Sequence, residues 1–155
     1  MDLLGTTHLW AALLAMLAGA VVLMSRKGTQ WHRRWGWLYV AAMATVIATA
    51  LLIYDLFGTF GPFHVAALIS VVTVTMGLLP ALRRRPKGRW VSLHASWMSG
   101  SYVGLIAAAT SEIATRYLDW SFGATVIAAS TVVTVVGVVS ILALVPGAIR
   151  RMAAR

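Results

Sequence analysis

The sequence predicts an all-α integral membrane protein, a bundle of five transmembrane helices, and three observations carry that prediction. Hydrophobic residues make up 60% of the 155 and charged residues only 11%, with a mean hydropathy of +0.83, a balance far from that of a soluble domain of this size. The apolar residues fall in five runs, at about 3–24, 35–57, 61–82, 90–113 and 122–148. Each can cross a hydrocarbon core about 30 Å thick as a helix of about 20 residues. Lipid offers backbone groups no hydrogen-bonding partner, so helices are the expected way across. The third observation is where the charges lie. Twelve of the thirteen basic residues occupy three places: Arg26, Lys27, Arg33 and Arg34; then Arg83, Arg84, Arg85, Lys87 and Arg89; then Arg150, Arg151 and Arg155. These are alternate helix ends, whereas Asp2, Asp55, Glu112, Asp119 and Arg116 fall at the opposite ends. The positive-inside rule expects the N-terminus outside, the first and third loops cytoplasmic, and the C-terminus cytoplasmic.

The same placement answers the nucleic-acid reading that a net charge of +9 invites. Charges gathered at helix ends set topology and attract anionic lipid headgroups, so the bilayer is the expected partner and no nucleic acid is. The chain has no cysteine, which removes disulfides, thiolate metal sites and thiol redox chemistry. The first run has Asp2 and no Lys or Arg ahead of it. A secretory signal starts with positive charge, so this segment is expected to be retained as a helix.

The chain reads as a single transmembrane domain, 1–155, built on a duplication. Arg26 to Met43 runs from a basic loop into an apolar helix with His32 at the join, and Arg85 to Tyr102 repeats Lys-Gly, Trp, His, Met and Tyr around His94. Each copy follows an apolar segment with a histidine near its other end, His8 or His64. The repeats are about 3–57 and 61–113, helices 1–2 and 3–4, with a fifth helix at about 122–148.

Helix 1 carries Ala11, Ala15 and Gly19, the spacing that lets helix backbones approach in lipid. His8, Ala12, Ala15 and Gly19 share a stripe, leaving room beneath the histidine for a neighbouring helix or for a flat ligand. Helix 2 sets His32, Gly36, Tyr39 and Met43 on one face, and Trp31, Trp35, Trp37 and Tyr39 form an interfacial aromatic belt. Asp55 and Gly58 to Pro62 make a tight outer turn, with Pro62 in the first turn of helix 3 and His64 close behind. Helix 4 starts near Trp90, carries His94, Met98, Ser101 and Tyr102, and has Gly100 and Gly104 for close packing. Glu112 lies on the face of His94 at the far end, where an interfacial carboxylate in water is the ordinary reading. Helix 5, with Ser130, Thr134 and Gly137 along one face and no titratable side chain before Arg150, reads as a packing helix outside the duplicated core.

Topology then sorts the four histidines into an outer layer, His8 and His64, and an inner layer, His32 and His94. A parallel duplication implies a pseudo-twofold axis along the membrane normal, which would face His8 to His64 and His32 to His94. Imidazole is a standard axial ligand of haem, and bundle interiors are usual places for cofactors. Two bis-histidine haem b sites are expected on this reading, with Arg33 and Arg34 placed for propionates and Gly36 leaving space for a macrocycle. The layout of ligands on alternate helices resembles that of the transmembrane di-haem b-type cytochromes. That resemblance implies electron transfer across or within the membrane, with an electron donor or acceptor or a quinone as partner.

Two other readings stand beside it. In one, the protein is a non-catalytic helical membrane protein or complex subunit without cofactor, each histidine hydrated, paired with a headgroup or capping a helix. In the other, His8, His64 and Glu112 hold zinc or another metal for intramembrane hydrolysis, two histidines and a carboxylate being a known metal-binding set. No HExxH spacing accompanies it. Whether the protein is an enzyme is left open by the residues.

The pattern His8, Gly19, Arg26-Lys27-Gly28, His32-Arg33, Gly36, Tyr39 and Met43, continued by His94, Met98 and Ser101-Tyr102, resembles a bacterial family of predicted integral membrane proteins that carries a domain of unknown function. The resemblance spans helices 1 to 4 and implies the fold and a multi-pass location in the bacterial cell membrane.

Overall fold

The computed structural model describes residues 2–54, 58–118 and 121–153. Among them the regular structure is five α-helices and no strand: α1 Leu3–Met24, α2 Gln30–Leu52, α3 Pro62–Arg83, α4 Trp90–Tyr117 and α5 Phe122–Ala153. Asp55 and Asp119, assigned to outer ends from the sequence, lie outside the described residues, as do the side chains of Arg116, Arg150 and Arg151. Four helices are long and apolar enough to cross a membrane, α1, α2, α3 and α5 over Phe122–Gly147. The fourth, α4, has the length, with 28 residues, but Ser92, His94, Ser96, Ser99, Ser101, Thr110, Ser111 and Glu112 make it more polar.

Helix boundaries follow from capping chemistry. Asp2 accepts a hydrogen bond from the Gly5 amide at 2.8 Å and opens α1, satisfying one of the amide donors that every helix N-terminus leaves over. Thr29 does the same for α2, accepting from the His32 amide at 3.2 Å. The second apolar run was expected at 35–57, whereas α2 occupies Gln30–Leu52. Hydropathy marks the hydrocarbon core, but a helix starts at its cap, here several polar residues earlier. Pro62 takes the first position of α3 as expected. Both α3 and α5 continue past an internal proline, Pro80 and Pro146.

The chain packs as two compact units, Met1–Val72 and Thr73–Arg155. In the first, α1 lies against α2. The contact buries Ala11, Ala15, Ala18 and Gly19 from α1 and Tyr39, Ala42, Met43 and Thr49 from α2. The small-residue stripe thus serves helix packing, the first of the two uses expected of it. Residues 25–29 join the pair, with Gly28 at φ +79°, a left-handed conformation that glycine adopts without steric cost. Lys27 Nζ donates to the carbonyl oxygens of Val22 and Leu23, both at 2.7 Å, closing the C-terminus of α1 with a cation, the charge its dipole favours. Burial pushes the Lys27 ammonium below the ordinary lysine value.

In the second unit α4 packs along α5. Ser111 and Ser130 hydroxyls meet at 2.9 Å, and a Cβ added to Gly137 would collide with the side chain of Val103. The Ser130, Thr134 and Gly137 face of α5 is therefore the one turned to α4. The end of α3 approaches α4 through Gly77, where a Cβ would lie 2.6 Å from Met98 Sδ and 3.1 Å from its backbone nitrogen. Gly100 and Gly104, expected to serve close packing, have nothing within 4 Å of an added Cβ. The close approaches fall to Gly77 and Gly137 instead.

Both Lys-Gly loops use the same backbone device, Gly28 at φ +79° and Gly88 at φ +80°. The histidines that follow are not in register with it. His32 comes four residues after its glycine and His94 six after its own, a difference of more than half a helical turn.

Candidate functional site

Each predicted histidine has a polar partner at Nδ1, and for three of them the partner fixes where the proton of the neutral ring sits. His94, half-buried in α4, places Nδ1 2.8 Å from the carbonyl oxygen of Gly77. A carbonyl only accepts, so Nδ1 carries a hydrogen and the neutral ring keeps its lone pair on Nε2. His8, half-buried in α1, places Nδ1 2.8 Å from Thr49 Oγ1 in α2. The Thr49 hydroxyl has one hydrogen and spends it on the carbonyl oxygens of Thr45 at 2.7 Å and Val46 at 3.1 Å. Its oxygen is therefore left to accept, and His8 donates through Nδ1. His32 faces Ser25 Oγ at 3.4 Å, and that hydroxyl donates to Val22 O at 3.0 Å.

His64 differs. It is 3% exposed and occupies the third position of α3, where its Nδ1 accepts a hydrogen bond from the Gly61 amide at 3.1 Å. This is the reach-back half of a capping box, made by histidine in place of Glu or Gln. The proton of the neutral ring then sits on Nε2, an atom with no hydrogen-bond partner among the described residues. Two aromatic rings flank the imidazole, Tyr54 with centroids 4.6 Å apart and Phe60 at 4.9 Å.

Among the remaining candidates, Arg33 and Arg34 are exposed and Glu112 is half-buried. A Cβ at Gly36 would meet no atom within 4 Å, so the space expected beside His32 is present. Trp31 and Trp35 of the aromatic belt pack with ring centroids 5.5 Å apart and planes tilted by 55°. Among the described residues no three of His, Asp and Glu gather closely enough to hold a metal ion. Sequence reasoning missed Thr49, Ser25, Gly77 and Gly61 as partners of the four imidazoles. Only Gly61, three residues before His64, stood near enough in the chain to be found by a capping pattern.

These features define a class. Long apolar helices, large side chains such as Leu17, Ile69, Val72 and Leu142 more than half exposed, and basic helix ends make this a multi-pass helical membrane protein. The chain belongs to the family described as Predicted membrane protein (DUF2306), whose pattern matches residues 5–149. No curated protein and no solved structure matches it.

Proposed function

We propose that the protein is a membrane-integral b-type haem protein carrying electrons across or within the membrane, through bis-histidine sites whose ligands are drawn from His8, His32, His64 and His94. The observation that carries the reading is the His94 contact with Gly77 O. An imidazole that binds iron through Nε2 almost always donates its other ring hydrogen to a carbonyl, a carboxylate or water, which fixes the ring and raises its basicity. His8 is held in the same state by the Thr49 hydroxyl oxygen. His64 fits less well as it stands, because its Nε2 bears the proton. To bind a metal through that atom it must release the Gly61 amide. Haem supplies a one-electron couple when bound. The chain supplies ring orientation at His8 and His94, open space at Gly36, and the exposed cations Arg33 and Arg34 for carboxylates.

A second reading, a helical membrane protein without cofactor, is favoured by a specific observation. The hydrogen bonds of His8 and His94 each join two helices, α1 to α2 and α3 to α4, and His64 caps its own, so structure alone gives these residues a use. The absorption spectrum of protein purified from haem-replete cells decides. A Soret band that shifts on adding dithionite, lost in His94→Ala while the protein still inserts, supports haem. A colourless preparation leaves the second reading.

A further inference from the structure

A groove of about 680 Å³ opens where α3 ends and α4 begins, within the size range of about 300–1,000 Å³ typical of small-molecule sites. Its walls are apolar, with Met76, Leu79 and Pro80 from α3 and Leu93 and Trp97 from α4. Its rim is cationic, with Arg83, Arg85 and Lys87. The rim is assembled by the turn after α3, where Arg84 stands at φ +49°. A left-handed residue at this point reverses the chain as a helix C-cap does, here at a non-glycine position. The reversal returns Arg85 and Lys87 to the groove that Arg83 already borders. All three cations are exposed, and none has an anionic partner among the described residues.

We propose that this groove holds one anionic glycerophospholipid of the surrounding bilayer, with its phosphate among Arg83, Arg85 and Lys87 and the upper part of an acyl chain along Met76, Leu79 and Leu93. Charge complementarity selects the occupant. Three uncompensated cations above an apolar trough, at the end of a membrane-crossing helix, match a molecule that is anionic at one end and hydrocarbon at the other. Arginine suits the phosphate in particular, because its planar fork donates two parallel hydrogen bonds. The cavity beside the first basic loop, about 510 Å³, has only Arg26 as a cation and lacks this match.

The test is native mass spectrometry of the full chain released from nanodiscs that contain equal phosphatidylglycerol and phosphatidylcholine. One phosphatidylglycerol should be retained per chain in preference to phosphatidylcholine. The variant R83Q/R85Q/K87Q should lose that preference by on the order of tenfold or more, whereas R26Q, which removes the one cation of the cavity beside the first basic loop, should keep it. Leu79→Trp fills the trough and leaves every charge in place. It too should lower retention, and it decides the matter should the triple variant fail to fold. Equal retention of the two lipids overturns the proposal, as does unchanged retention in the triple variant or in Leu79→Trp, or an equal loss in R26Q. None of these outcomes depends on whether haem is bound.

Discussion

His94 Nδ1 stands 2.8 Å from the carbonyl oxygen of Gly77, and the glycine is what lets α4 come so near. A Cβ at position 77 would lie 2.6 Å from Met98 Sδ and 3.1 Å from the Met98 amide nitrogen. The thioether can swing aside, but the main chain cannot. Gly77→Ala should therefore push α3 and α4 apart and lengthen the histidine bond, at a cost of about 1–3 kcal/mol. Thermal unfolding in detergent measures the cost. Adding Met98→Ala should recover part of it and no more, since the amide nitrogen stays. A Gly77→Ala protein as stable as the parent would contradict the contact.

His64 separates capping from ligation. Its Nδ1 accepts from the Gly61 amide, a role that glutamine fills in ordinary capping boxes. His64→Gln should accordingly preserve most of the stability, whereas His64→Ala should cost about 1–2 kcal/mol through the lost cap, and more through the gap left between Tyr54 and Phe60. A haem that depends on His64 would disappear in both variants. Retention of haem with loss of stability in the alanine variant alone would assign His64 to the structural role and leave His8 to find another partner.

Topology tests the polarity of α4. Twelve basic residues at one set of helix ends expect reporters fused after Arg85 and after Arg155 to read cytoplasmic, and one at Gly58 to read external. Among the described residues, α1, α2, α3 and α5 are the helices apolar enough to cross by composition alone. Should α4 stay out of the bilayer core, the chain would cross four times, and the reporter after Arg155 would move to the outside while those at Gly58 and Arg85 kept their places. An external signal at Arg155 alone would thus rule out five spans with the N-terminus outside.

The helices were legible because lipid leaves a backbone little choice, and α1 begins and ends where its apolar run does. The start of α2 was less so, since Trp31 to Trp35 are amphipathic and charged residues that hydropathy counts as loop, although Thr29 and Gly28 carried the cap and turn signals. The histidine positions could be read, but their partners could not. His8 and Thr49 are 41 residues apart, and which stripe of α1 meets which stripe of α2 depends on rotations that spacing does not fix. Glycines show the same limit. Gly100 and Gly77 look alike as small residues in apolar helices, yet only Gly77 lies at a close crossing.

Gly36 gives a direct test of the haem reading. It lies one turn from His32 on the same helix face, and an added Cβ would find nothing within 4 Å among the described residues. Replacing a mid-helix glycine should stabilise α2 by up to about 1 kcal/mol. A macrocycle lying along this face would, by contrast, have its place taken by the larger side chain. Gly36→Leu is therefore expected to fold at least as well as the parent while losing most of the haem that His32 ligates. Haem per chain, measured beside the unfolding temperature in detergent, separates the two effects. Full occupancy in a stable Gly36→Leu protein would move the haem to another face of α2 or release His32 from the ligand set.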